Sequence, residues 1–199
     1  MIATLSVYKH NYATLGESLR YASFQVASLG TSTGFATADS AVWTAPAQTI
    51  LLFFTLWCAC AGSTSGGIKI DRILLMGKLL RLRFRQVIHP SLVLNVTVDN
   101  RSIPTELAYT ATLFIAVYLA VAGASTLGLS LFGEPMLESF TGTIACLANA
   151  GPGLGKVGSM GNYAGLNDGS KLILSAVMLI GRLEIFGLLV LFLREFWRK

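Results

Sequence analysis

The chain has 199 residues, of which 53% are hydrophobic and only 13% charged, against about 25% charged residues in a soluble domain. That balance excludes an ordinary soluble protein and points to a membrane. A net charge of +5 would suit nucleic acid if it were spread over a surface, but the cations gather in one segment and at the C-terminus, as in cytoplasmic loops, so nucleic acid is not an expected partner.

Met1 to Leu15 holds no sustained apolar core, so no secretory signal is read there. Glu17 to Leu29 predicts a short, mostly apolar helix that cannot span a bilayer. It runs into Gly30-Thr31-Ser32-Thr33-Gly34-Phe35, which is small and polar. Trp43 suits the outer membrane interface. Pro46 suits the first turn of a helix, where its missing donor is not needed. A spanning helix is expected from Ala47 to about Ala61, broken by Gly62-Ser63-Thr64-Ser65-Gly66-Gly67. Apolar helix resumes at Ile68 and turns basic from Lys78. Lys69, Arg72, Lys78, Arg81, Arg83, Arg85 and Arg101 place this segment in the cytoplasm. Asn100 to Pro104 predicts a turn.

Leu107 to Phe132 carries no Asp, Glu, Lys or Arg, and a spanning helix needs about 20 apolar residues. Glu134 to Leu147 is a second short apolar segment. It ends in Ala148-Asn149-Ala150-Gly151-Pro152-Gly153-Leu154-Gly155. The last span joins Leu172–Gly181 to Ile185–Leu193, interrupted by Arg182 and Glu184. Trp197, Arg194, Arg198 and Lys199 mark its cytoplasmic end. Glu134 to Ser170, with Lys156 as its one basic residue, then faces out.

A weak internal repeat emerges. Glu17 aligns with Glu134 and Gly34 with Gly151, each 117 residues apart. The unit is an outward helix, a short half-helix, a small-residue loop and an inward helix. The first copy lacks its outward helix. Topology asks for the same helix, because the N-terminus falls outside with nothing upstream to carry it across. A fragment, or a chain lacking a preceding span, is therefore expected.

Bare backbone at membrane depth is tolerated only inside protein or beside a water-filled path. Carbonyl rings can replace the hydration shell of potassium, and glycine lets successive carbonyls point one way. Hydroxyls of Thr31, Ser32 and Thr33 can add ligands or braces, and Asn149 can brace its own loop. The plainer alternative is a pair of extracellular turns. Gly62 to Lys69 resembles a phosphate-binding loop in spacing alone, since Ile68 and Ile70 stand where that motif needs Lys and its neighbours. A flexible break in a pore-lining helix fits better. Arg182 in mid-span is a functional candidate, with the Gly62–Gly67 loop at similar depth as its partner. The alternative is a structural salt bridge with Glu184 or with a further helix. For Glu184 itself an interhelical ion pair or a polar contact is the plain expectation. Cys58, Cys60 and Cys146 read as small buried side chains. His10 and His89 have no ligand-spaced neighbours. No catalytic constellation is present, so neither an enzyme nor a cofactor is expected.

Four motifs in order resemble the bacterial Trk/Ktr potassium-uptake family. Thr31 to Asp39 looks like its third selectivity loop, Ala61 to Lys69 its intramembrane gating loop, Asn149 to Gly153 its fourth selectivity loop, and Gly181 to Glu184 its last-helix stretch with the gating arginine. The resemblance implies an all-α membrane protein of potassium-channel-like helix–re-entrant loop–helix units. One and a half of the usual four are here: residues 1–104 as the second part of unit three, and 105–199 as unit four. It implies potassium, as substrate, on carbonyls of Thr31, Ser32, Thr33 and Gly34 and of Asn149, Ala150 and Gly151. Gly62, Ser63, Thr64, Ser65, Gly66 and Gly67 would be the gate and Arg182 its latch. The implied partners are a second copy, a cytosolic nucleotide-binding regulatory subunit and an N-terminal half, at the bacterial cytoplasmic membrane. A truncated, non-conducting remnant is the alternative.

Overall fold

The computed structural model describes residues 1–8, 10–57, 62–63, 65–89, 96–98, 101–185, 187 and 197. Cys58, Cys60, Thr64, Asn100, Arg194, Arg198, Lys199 and most of the 185–193 stretch lie outside the described residues.

Helix α1 (Ile2–Val7) precedes α2 (Leu15–Gly30). The Thr14 hydroxyl accepts from the Glu17 N–H at 3.3 Å, and Glu17 stands in the first turn; this Ser/Thr-x-x-Glu pattern fixes where a helix starts. Helix α3 (Ala45–Leu56) carries Pro46 in its opening turn, as expected. Helix α4 (Ile70–Ile88) runs unbroken through the basic stretch. Helix α5 (Thr105–Leu131) has 27 residues, about 40 Å of helix at 1.5 Å per residue, and an 18-residue stretch of it has a mean hydropathy of 1.9. Among the described residues it is the one helix long and apolar enough to cross a membrane. Helix α6 (Met136–Leu147) and helix α7 (Asp168–Arg182) complete the set.

The structure adds to or changes the sequence reading in three places. The expected turn before α5 is a hairpin: β1 (Val96–Val98) pairs antiparallel with β2 (Arg101–Ile103), Val96 opposite Ile103. Valine, threonine and isoleucine favour extended backbone, and Lys78 on α4 donates to the Thr97 carbonyl at 2.6 Å. The fold is thus mostly helical, with this one short hairpin among the described residues. Secondly, α7 stops at Arg182, and the chain turns through Leu183 to Ile185. Glu184 (φ 50) and Ile185 (φ 24) are left-handed there. Ile185 is 1% exposed, so burial of its side chain anchors the break. Thirdly, Trp43 packs inside the protein. It is 4% exposed and meets Tyr12 edge-on, with centroids 6.5 Å apart.

Two cores form. One joins Phe114, Tyr118 and Leu129 of α5 to Cys146 and Leu147 of α6 and to Leu174 and Val177 of α7. The other joins α1, α2 and α3 through Val7, Ala22, Leu29, Ala47 and Leu51. They interlock, because Ile68 enters the first and Ala148 and Ala150 enter the second. Helix α1 packs on α2 and α3 as α5 packs on α6 and α7. Shifted by the repeat interval, α1 falls within α5.

Candidate functional site

The two small-residue loops repeat bond for bond. Thr31 N–H donates to Ala27 at 3.0 Å, and Ala148 N–H to Ile144 at 2.9 Å. Ser32 bonds Leu29 and Asn149 bonds Cys146, both at 3.0 Å. Thr33 reaches Ser28 at 2.8 Å and Ala150 reaches Ala145 at 3.0 Å. Gly34 and Gly151 approach the same two carbonyls at 3.5 Å. The backbone angles agree too: φ is 50 at Ser32 and 55 at Asn149, 78 at Gly34 and 96 at Gly151. An extended strand sends successive carbonyls to opposite sides. A left-handed residue at every second position breaks that alternation.

The loops touch. A Cβ on Gly34 would overlap the Ala150 carbonyl oxygen, so only glycine permits the approach. Each loop is braced differently. Thr31 Oγ1 lies 2.7 Å from Thr33 Oγ1 and donates to Ala27 at 2.7 Å, while Ser28 Oγ donates to the Phe35 carbonyl at 2.6 Å. Asn149 Nδ2 instead donates across to Met178 of α7 at 3.3 Å, the bracing role its amide suggested.

The Gly62–Gly67 segment is a closed excursion. Ile68 N–H donates to the Leu56 carbonyl at 3.0 Å across its neck. Gly62 has φ 82, and the Ser65 N–H reaches Ser63 Oγ at 3.3 Å. Ser65, Gly66 and Gly67 are buried. A Cβ on Gly66 would come within 2.5 Å of the Leu147 carbonyl oxygen and 2.7 Å of Asn149 Nδ2. Gly181 meets the same carbonyl oxygen from α7. Ser65 to Gly67 are therefore wedged against the C-terminal end of α6, beside the last turn of α7. Arg182, which ends that turn, is exposed. Glu184 takes an ion pair from Lys69 and a second from Arg72, at 3.1 Å, so the interhelical pair expected of it is present.

Sequence reasoning missed Tyr163. Its hydroxyl donates to the Gly151 carbonyl at 2.8 Å. Burial pushes its phenol pKa above the ordinary tyrosine range, with Cys146 beside it adding to the effect, so it remains a donor. A cavity of about 360 Å³ lies there, lined by Cys146, Asn149, Gly151, Tyr163, Lys171 and Met178. No signal in a lone tyrosine of a polar loop marks it. Tyr163→Phe removes one hydrogen bond, worth about 1 kcal/mol. Thermal unfolding in detergent is expected to show a small loss of stability.

The family profile for TrkH, described as a cation transport protein, matches residues 7–199. This chain belongs to the TrkH family of cation transport proteins. Within the family it is 38% identical over 200 residues to the Trk system potassium uptake protein TrkH of Salmonella typhimurium, covering all of this chain and 41% of that protein. It is 36% identical over 201 residues to the Trk system potassium uptake protein TrkI of Halomonas elongata, again covering all of this chain and 41% of that protein. The crystal structure of the potassium transporter TrkH from Vibrio parahaemolyticus superposes with a TM-score of 0.88 at 35% identity, covering 99% of this chain and 42% of that one. The chain thus spans about two fifths of the length of these TrkH-family relatives.

Proposed function

We propose that the chain is part of a gated, channel-like potassium transporter subunit of the bacterial cytoplasmic membrane. The supporting observation is the pair of loops that repeat bond for bond and meet at Gly34 and Ala150. In this reading the carbonyls of Thr31, Ser32, Thr33 and Gly34, and those of Asn149, Ala150 and Gly151, form half of a ring that replaces potassium's water. Residues 1–104 supply the second part of one pore unit and 105–199 a whole one. A half ring would leave carbonyls facing lipid, which the bilayer does not tolerate. The subunit therefore works with an N-terminal half that supplies two further units. Potassium is substrate, and no cofactor takes part.

Gly62 to Gly67 is the gate in this reading, and Arg182 its latch. The wedge of Gly66 between Leu147, Asn149 and Gly181 supports it, because it seats the loop directly against the residues that lead into the second small-residue loop. A second copy and a cytosolic nucleotide-binding subunit complete the assembly. The basic segment from Lys69 to Arg101 is the contact surface for the latter.

The test is growth at low potassium of a bacterial strain without its own importers. The chain together with an N-terminal half is expected to restore growth, and failure with protein present in the membrane would point to a non-conducting scaffold. In that background Arg182→Ala frees the gate of about 1 kcal/mol of hydrogen bonding, so flux is expected to rise roughly fivefold. Unchanged or lower flux in a normally expressed protein removes the latch assignment.

A further inference from the structure

The chain breaks twice near one place. The neck of the Gly62–Gly67 excursion closes at Ile68, and α7 breaks at Glu184. The Glu184 carboxylate spans the gap. Its Oε1 takes Lys69 Nζ, and its Oε2 takes Arg72 Nη2 at 3.1 Å. Lys69 is the N-cap of α4, and it is 7% exposed. A buried ammonium without a counter-charge is costly, so Lys69 holds to Glu184 more firmly than a surface lysine would. Arg72, one turn along α4, stacks on Phe114 of α5, its Cζ 3.7 Å from the ring centroid. One carboxylate in the α7 break thus ties down the start of α4, and through Arg72 it ties α4 to α5. The break is itself pinned: Ile185 N–H donates to the Ile180 carbonyl at 3.1 Å and Gly187 N–H to Glu184 at 3.1 Å.

We propose that Glu184 is a positioning residue of the gate, a clamp that keeps Gly62–Gly67 seated by holding Lys69 and Arg72. The clamp couples α4 to the gate. Any pull on the basic part of α4 must first separate Lys69 and Arg72 from Glu184, and the excursion that ends at Ile68 then follows. This rests on the reading of Gly62–Gly67 as the gate, and the experiment keeps the two apart.

The readout is thiol accessibility of Ser65→Cys in the full chain in membranes, with Cys58, Cys60 and Cys146 replaced by alanine. Ser65 is 6% exposed, so its cysteine labels slowly while the loop is seated. Glu184→Gln is expected to speed labelling about fivefold, the scale of a half-exposed charge pair. The charge swap Lys69→Glu with Glu184→Lys re-forms one of the two pairs and leaves Arg72 without its carboxylate, so it is expected to bring labelling back to an intermediate rate, which a merely damaged fold would not do. Arg72→Gln, which leaves Lys69 paired, gives an intermediate rate and serves if Glu184→Gln does not accumulate. Equal rates in all variants overturn the clamp. Rubidium uptake, measured with the N-terminal half present, is expected to rise with labelling. Faster labelling without any change in uptake would keep the clamp and remove the gate reading instead.

Discussion

With an N-terminal half present, and with Gly34 in the proposed filter, Gly34→Ser is expected to lower discrimination between potassium and sodium by about tenfold, measured as rubidium uptake under sodium competition. Two costs combine at this position. The backbone is left-handed, with φ at 78, which costs an L-residue roughly 1–2 kcal/mol. The new Cβ also overlaps the Ala150 carbonyl oxygen of the neighbouring loop. That oxygen belongs to backbone and cannot swing aside as a flexible side chain would. The two loops must separate or one carbonyl must turn, and either changes the cage that an ion meets. A shift of about 1.4 kcal/mol in relative binding is a factor of ten. Gly151→Ser is the internal comparison. Its φ is 96, but a Cβ there meets nothing within 4 Å, so it carries the backbone cost alone. Its effect is expected to be the smaller one, and selectivity that falls more at Gly151 than at Gly34 would count against the loop contact.

Gly181→Ala will destabilise the protein although it sits in a helix. Alanine is favoured over glycine by about 1 kcal/mol in a helix interior. At Gly181 the added methyl overlaps the Leu147 carbonyl oxygen and lies 3.0 Å from Asn149 Nδ2. Forcing a methyl into a packed contact costs about 1–3 kcal/mol, and here the obstacle is the backbone of α6. The steric cost wins, and α7 moves off α6. Thermal unfolding in detergent is expected to show a drop of several degrees, at about 2–4 °C per kcal/mol for a chain of this size. Gly123→Ala in α5 has nothing within 4 Å of its Cβ and is expected to be neutral or stabilising. A stable Gly181→Ala protein would mean that α6 and α7 do not approach as described.

Much of this arrangement can be read from residues. Pro46 marks the start of α3 because its ring suits a first helical turn. The uncharged run from Leu107 declares α5. The repeat interval, taken from one glutamate pair and one glycine pair, carries down to individual hydrogen bonds in both loops, because small residues at matched positions permit the same left-handed backbone. What escaped reading depends on contacts between distant segments. Nothing near Tyr163 announces that its hydroxyl reaches Gly151. Gly66 and Gly181 look like two glycines among many until both are found against the carbonyl of Leu147. The break at Glu184 is hidden by the apolar residues flanking it, which read as one continuous span. The Val96–Ile103 hairpin is three residues a strand, too short for an alternating pattern to stand out.

The two loops are proposed as half of a potassium pathway, and rubidium uptake decides it in a strain lacking its own potassium importers, with the chain expressed alone and again with an N-terminal half supplying two further units. Uptake is expected with the partner and not without it. Uptake from the chain alone would contradict the four-unit requirement, and absence of uptake in both, with protein present in the membrane, would contradict conduction itself.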